Sequence, residues 1–259
     1  MAGRNGTNWT REETILAFEL YCRTPFGKIS QSNREIIELA SLIGRTPSSV
    51  ALKMHNLAHY DPRLRARNVS AMSHGSRLDP LVFDEYYKNL EELTYQASII
   101  KNRLTGELLL ENNRNDFSDI PPGEYKEQLI RTRLGQNFFR AAVLNSYGNR
   151  CCITGLSVPN LLIASHIKPW SQSDAKTERT NPQNGLCLNP FHDRAFDQGL
   201  ITIDKNYQII ISSKLSEARM DDETQSWFMG YEGKTIILPD KFAPGQDFIE
   251  YHNDVIFKR

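Results

Sequence analysis

Three residues in the C-terminal half of the chain have types and spacing suited to phosphodiester chemistry. His166 closes the apolar run Leu161-Leu162-Ile163-Ala164-Ser165-His166. Asn184 sits in the turn-rich stretch Asn181-Pro182-Gln183-Asn184-Gly185, and His192 follows Asn189-Pro190-Phe191. A neutral imidazole, with a reference pKa of about 6.5, can take a proton from water near neutral pH. A divalent metal beside a phosphate can stabilise the departing oxygen. One base and one metal site are therefore enough for hydrolysis.

The elements that must hold these residues can be read nearby. The run ending at His166 has strand character, and Pro169 stops it, which would hold the imidazole at the edge of a rigid element. An Asn at position 184 can bond loop backbone and hold the loop that presents His166. His192 opens a short helix, from which its ring can face the strand and bind metal. Arg194 is suited to gripping phosphate through its fork of N–H donors, and Lys168 is placed with it as a phosphate contact. Upstream, a helix is expected over 124–147, stopped by Gly148-Asn149. Downstream, Ile201-Thr202-Ile203-Asp204 alternates like a strand, and Asn206 marks a hairpin turn before Gln208-Ile209-Ile210-Ile211.

The stretch from about 133 to 204 resembles the ββα-metal, or HNH, nuclease family. The resemblance rests on Arg150-Cys151-Cys152-Ile153-Thr154-Gly155, Ala164-Ser165-His166-Ile167, Asn184-Gly185-Leu186 and His192-Asp193-Arg194-Ala195-Phe196-Asp197, in that order. It implies that His166 is the general base, Asn184 the loop-organising residue and His192 a metal ligand. Many HNH enzymes carry Asp, Glu or His just before the base; here Ser165 stands there, a poor ligand. Asp193 or Asp197 would then share the metal with His192. The implied metal is divalent, Mg²⁺ first and Mn²⁺ as an alternative, since magnesium tolerates few protein ligands and keeps several waters. No structural zinc is expected, because no Cys-x-x-Cys pair occurs among Cys22, Cys151, Cys152 and Cys187. Free thiols in a reducing compartment are the expectation for these four.

The N-terminal part reads as helical over 9–60. Thr10 and Glu13 form a capping-box pattern, Ser32 or Asn33 can cap a second helix that Gly44 ends, and Pro47 fits the first turn of a third. Ala40, Gly44 and Val50 have helix-turn-helix spacing, and Asn8-Trp9-Thr10-Arg11-Glu12-Glu13 with Gly44-Arg45-Thr46-Pro47 resembles a Myb/SANT-like unit. Both resemblances imply a DNA reader. Ser48, Ser49, Lys53 and Asn56 would face the major groove from the third helix, and Arg45, Arg63, Arg65 and Arg67 would grip backbone. One further helix is expected over 80–103.

The overall expectation is an α+β protein. A helical DNA-binding domain (1–104) and a linker (105–123) would precede a ββα-metal HNH nuclease domain (124–259) with extra helices and strands. Its 31 basic and 31 acidic residues balance, which argues against a wholly basic coat. Residues 1–80 nonetheless hold 11 basic against 7 acidic side chains, so the excess leans to the N-terminal part. No signal peptide or membrane span is read, so a cytoplasmic location and no membrane partner are expected. The leading reading is a restriction-type DNA endonuclease acting on duplex DNA, with a homodimer left open. The alternatives are a DNA-binding regulator on a degenerate nuclease fold and a non-specific DNase or RNase defence effector.

Overall fold

The computed structural model describes residues 7–62, 65, 76–106 and 123–259. Two compact units emerge: Met1–Phe138 with Ala175–Thr180, and Phe139–Asp174 with Asn181–Arg259. Residues 107–122 of the expected linker lie outside the described residues.

The first unit is helical. Helix α1 (Arg11–Arg23) begins with a reciprocal cap: Thr10 Oγ1 accepts from the Glu13 amide at 3.2 Å, and the Glu13 carboxylate accepts from the Thr10 amide at 2.8 Å. Helix α2 (Arg34–Ile43) is capped by Asn33 and ends at Gly44, and α3 (Pro47–Ala58) starts behind a Thr46 cap. Their buried faces meet through Leu16, Leu20, Ile36, Val50, Met54 and Leu57. The single helix expected over 80–103 is two, α4 (Leu78–Tyr86) and α5 (Leu90–Thr105). Asn89 makes the break, because its side chain accepts from the Glu92 amide at 3.3 Å and caps α5 instead of continuing α4. Tyr86, Leu90 and Leu93 are buried on both sides of the break, so the apolar period runs through it.

The second unit carries the chemistry. Strands β1 (Ile163–His166) and β2 (Gly185–Leu188) pair antiparallel, with His166 opposite Gly185 and Ser165 opposite Leu186. Helix α7 (Pro190–Asp197) packs on both strands. Asn189 caps it, accepting from the amides of Phe191 and His192 at 3.0 and 3.1 Å. The last turns of α6 (Glu124–Ser146) supply Phe139, Val143 and Leu144 to a core shared with Leu162, Ile167, Leu186, Leu188 and Phe196. Each such side chain contributes about 1.5–3 kcal/mol on burial. A hairpin of β3 (Ile201–Ile203) and β4 (Ile209–Ile211) follows, its turn held by the Asp204 carboxylate accepting from the amides of Asn206 and Gln208, both at 2.8 Å. Helices α8 (Asp222–Met229) and α9 (Gln246–Tyr251) complete the unit, α9 running into a π-turn over His252–Ile256. The class is α+β, a small sheet among helices. Among the described residues no helix is long and apolar enough to cross a membrane.

Candidate active site

The ββα element builds one cleft of about 470 Å³. Its lining includes Ser165 and His166 from β1, Trp170 beyond it, Asp193, Arg194 and Asp197 from α7, and Gln198 at that helix's end. Helical geometry explains the last group: residues 193 and 197 are four apart and share a face.

His166 is held by aromatic rings. Phe139 stacks on its imidazole with centroids 3.8 Å apart and planes 10° apart, and Trp170 meets it edge-on at 5.6 Å. The stack depends on Gly185. A Cβ at this position would lie 2.4 Å from Val143 Cγ2 and 3.0 Å from Phe139 Cζ, so only a glycine lets β2 approach α6 this closely.

Asn184 ties down the segment that follows the histidine. Its side chain is fully buried; Oδ1 accepts from the Lys168 amide at 2.8 Å, and Nδ2 donates to the Lys168 carbonyl at 3.1 Å and to Ser173 Oγ at 3.2 Å. Its own carbonyl accepts from the Ile167 amide at 3.0 Å. Ser173 Oγ donates back to the carbonyls of Lys168 and Pro169, both at 3.0 Å, which closes the loop on itself.

The carboxylates of the cleft are electrostatically loaded. Burial pushes the Asp193 carboxyl above its ordinary value, with the Ser165 hydroxyl and the Arg194 charge pulling it partway back. Asp197 is also raised, by desolvation first and then by the Asp193 charge. Ser165 Oγ is buried beside Asp193 but makes no hydrogen bond of good geometry among the described residues. Its pull on Asp193 is therefore that of a nearby, poorly aligned dipole. Two carboxylates on one helix face, both made costlier to ionise by desolvation, are a fit for a hard cation, which takes oxygen donors and completes its shell with water. Asp193 and Asp197 are the residues that can hold one. Among the described residues no three His, Cys, Asp or Glu side chains converge into a ready-made cage.

His192 departs from its expected role. It is 1% exposed and does not line the cleft. Its Nε2 donates to the Trp227 carbonyl at 2.9 Å, and its Nδ1 accepts from Asn189 Nδ2 at 2.8 Å. Trp227, Phe228 and Tyr231 surround the ring. Both nitrogens are thus committed within the protein, and burial lowers the imidazole pKa. The reason is the helix period: one residue along α7 is a turn of about 100°, so His192 faces the core when Asp193 faces the cleft. Its place is a clasp between α7 and α8. Lys168 is also absent from the cleft, its ammonium lying 5.2 Å from the Tyr251 ring centroid.

The reader residues of the first unit divide similarly. Lys53 does not face outward: it is buried, pairs with Asp79 at 2.6 Å, and lies over the Trp9 ring. Arg45 is buried too, paired with Glu13 at 2.8 Å and stacked over the same indole. Trp9 therefore gathers both cations inward, a desolvated pair of cation–π contacts that removes them from any groove. Asn56 is half-buried with Oδ1 buried and unpartnered among the described residues, while Ser48 and Arg65 are exposed and Ser49 is intermediate. Arg63 and Arg67 lie outside the described residues. Sequence reasoning assigned no role to Phe139, Trp170, Ser173 or Trp227. Trp170 alone had a signal, its place four residues after His166.

Residues 151–204 match the HNH endonuclease family. This segment is an HNH endonuclease domain. It carries His166, Asn184 and the whole of α7. HNH nucleases generally use a divalent metal, and the donor pair described above lies within the matched span. A search of curated proteins found no significant match. Among solved structures, the modification-dependent TagI restriction endonuclease is similar to 44% of this chain at 19% identity, with a TM-score of 0.27. The matched part is 35% of that structure's length.

Proposed function

We propose that the protein is a DNA endonuclease of restriction type, with His166 as the general base. The observation that carries the reading is the convergence of His166, Asp193, Arg194 and Asp197 on one cleft. His166, oriented by Phe139 and Trp170, removes a proton from the attacking water. Arg194, exposed at the rim, neutralises charge on the scissile phosphate. Asn184 keeps the strand end and the loop to Ser173 in one arrangement, so the base does not wander. Asp193 and Asp197 would hold a Mg²⁺ or Mn²⁺ ion, which would supply charge stabilisation to the phosphate oxygens. Duplex DNA is the proposed substrate, a reading supported by the helical first unit and by the exposed Ser48 and Arg65.

The test is digestion of plasmid DNA, single-stranded DNA and RNA in Mg²⁺ and in Mn²⁺, with ends sequenced. His166→Ala should abolish cleavage while circular dichroism and melting stay close to those of the parent. Asp193→Asn and Asp197→Asn should raise the metal concentration needed for half-maximal rate. Undiminished cutting by His166→Ala overturns the mechanism, and DNA binding without cutting in any metal favours a regulator.

A further inference from the structure

A second hollow lies against the same helix. It measures about 440 Å³, and its walls are Phe191, Ala195, Leu200, Leu215 and Phe228. Its polar side chains are Arg194 and Gln198, and both also line the HNH cleft. The two sites are therefore neighbours that share the wall made by Arg194 and Gln198. At the mouth Phe191 is 65% exposed, and Trp227, itself 47% exposed, stands 5.9 Å from it centroid to centroid. Two large aromatic rings left in water beside this hollow form an exposed apolar patch of the kind that marks a ligand site.

We propose that this hollow is a subsite for one unpaired nucleobase of the strand being cut, a reading that rests on the nuclease function proposed above. A purely apolar partner would strip water from Arg194 and Gln198 and return nothing to them. A nucleotide satisfies all three features at once. The base face stacks on Phe191, the base edge meets the Gln198 amide, which offers both a donor and an acceptor, and the adjoining phosphodiester meets Arg194. That phosphate is the scissile one, and Arg194 and His166 both line the cleft that receives it. A base held inside a duplex stack cannot reach the walls, so the occupant is single-stranded or turned out of the helix.

The experiment uses the full chain with His166→Ala to prevent cutting, in Mg²⁺, and a labelled single-stranded 20-nucleotide DNA. Phe191→Ala in that background should weaken binding about 5- to 100-fold, the range of one lost base–aromatic stack. Phe191→Leu should weaken it as well, because bulk without a ring does not stack. One abasic residue is moved along the strand; at the position that places it in the hollow, Phe191→Ala should have no further effect. The salt dependence should keep its slope, since no phosphate contact is lost. Unchanged affinity in Phe191→Ala overturns the subsite, as does an additive loss at every abasic position. Loss of self-association in sedimentation, with oligonucleotide affinity unchanged, also overturns it and gives the hollow to a second copy. Cleavage by the otherwise native chain is measured alongside. Its absence strikes the nuclease reading, whereas normal cleavage with unaltered affinity strikes only the subsite.

Discussion

Asn184→Ala offers the sharpest test of how the site is held. The substitution removes three side-chain hydrogen bonds in a fully buried position. Two of the three partners keep other contacts, because Ser173 Oγ still donates to the Lys168 and Pro169 carbonyls. The part-buried Lys168 amide loses the Asn184 side-chain acceptor, and losing such a partner costs about 1–3 kcal/mol. With the small cavity added, the expected loss is about 2–4 kcal/mol. For a chain of this size that is a drop of roughly 5–15 °C in Tm. Differential scanning calorimetry measures it directly. Well below the lowered Tm, kcat should still fall on the order of 100-fold, because a displacement near 1 Å at the base is enough. Ser173→Ala, which leaves the Asn184–Lys168 pair intact, should do less on both counts. A melting point within about 2 °C of the parent refutes the hydrogen-bond reasoning, on the same scale of degrees per kcal/mol. A lowered Tm with unchanged kcat refutes the positioning role.

Three further outcomes are expected. Gly185→Ala forces a methyl group to 2.4 Å from Val143 Cγ2, so denaturant unfolding should show a loss of about 1–3 kcal/mol, with cleavage impaired through the displaced Phe139. Lys53→Ala leaves the buried Asp79 carboxylate without its cation and should cost about 3–5 kcal/mol, while the slope of DNA affinity against salt stays the same; a slope reduced by about 1 would put Lys53 on a phosphate. Stability should also fall in mild acid. His252 is fully buried against Thr202 and the Phe196 ring, and burial pushes its pKa down to about 4 from 6.5. The unfolded chain takes this proton near pH 6.5 and the folded one only near pH 4, so stability present above 6.5 is lost as pH falls through that window, by about 3 kcal/mol. Unfolding free energies at pH 7.5 and 4.5 check the slope, and His252→Gln should flatten it.

Local chemistry was legible along the chain wherever neighbours in sequence are neighbours in space. The caps at Thr10 and Asn33 depend on bonds spanning two or three residues, and the strand ending at His166 follows from its apolar run and Pro169. The break at Asn89 was hidden because the apolar faces of α4 and α5 stay in phase across it. The inward turn of Lys53 and Arg45 was hidden for another reason. Their partners Asp79, Glu13 and Trp9 lie 26 to 44 residues away, and charge alone does not say whether a cation meets a phosphate or a carboxylate.

The order of His166, Asn184 and α7 was set by sequence alone, and with it the likeness to the HNH family over 151–204, because those motifs are contiguous. Which residue of α7 faces the cleft was decided only by packing. On the chain His192 was the first candidate ligand, with Asp193 or Asp197 sharing the metal, since each can bind one. Trp227, Phe228 and Tyr231, brought up from α8 and just beyond it, enclose the imidazole and leave the two aspartates outside. Burial favours the ring that can be neutral and fully hydrogen-bonded over a carboxylate that must keep its charge, and that difference sets the helix rotation.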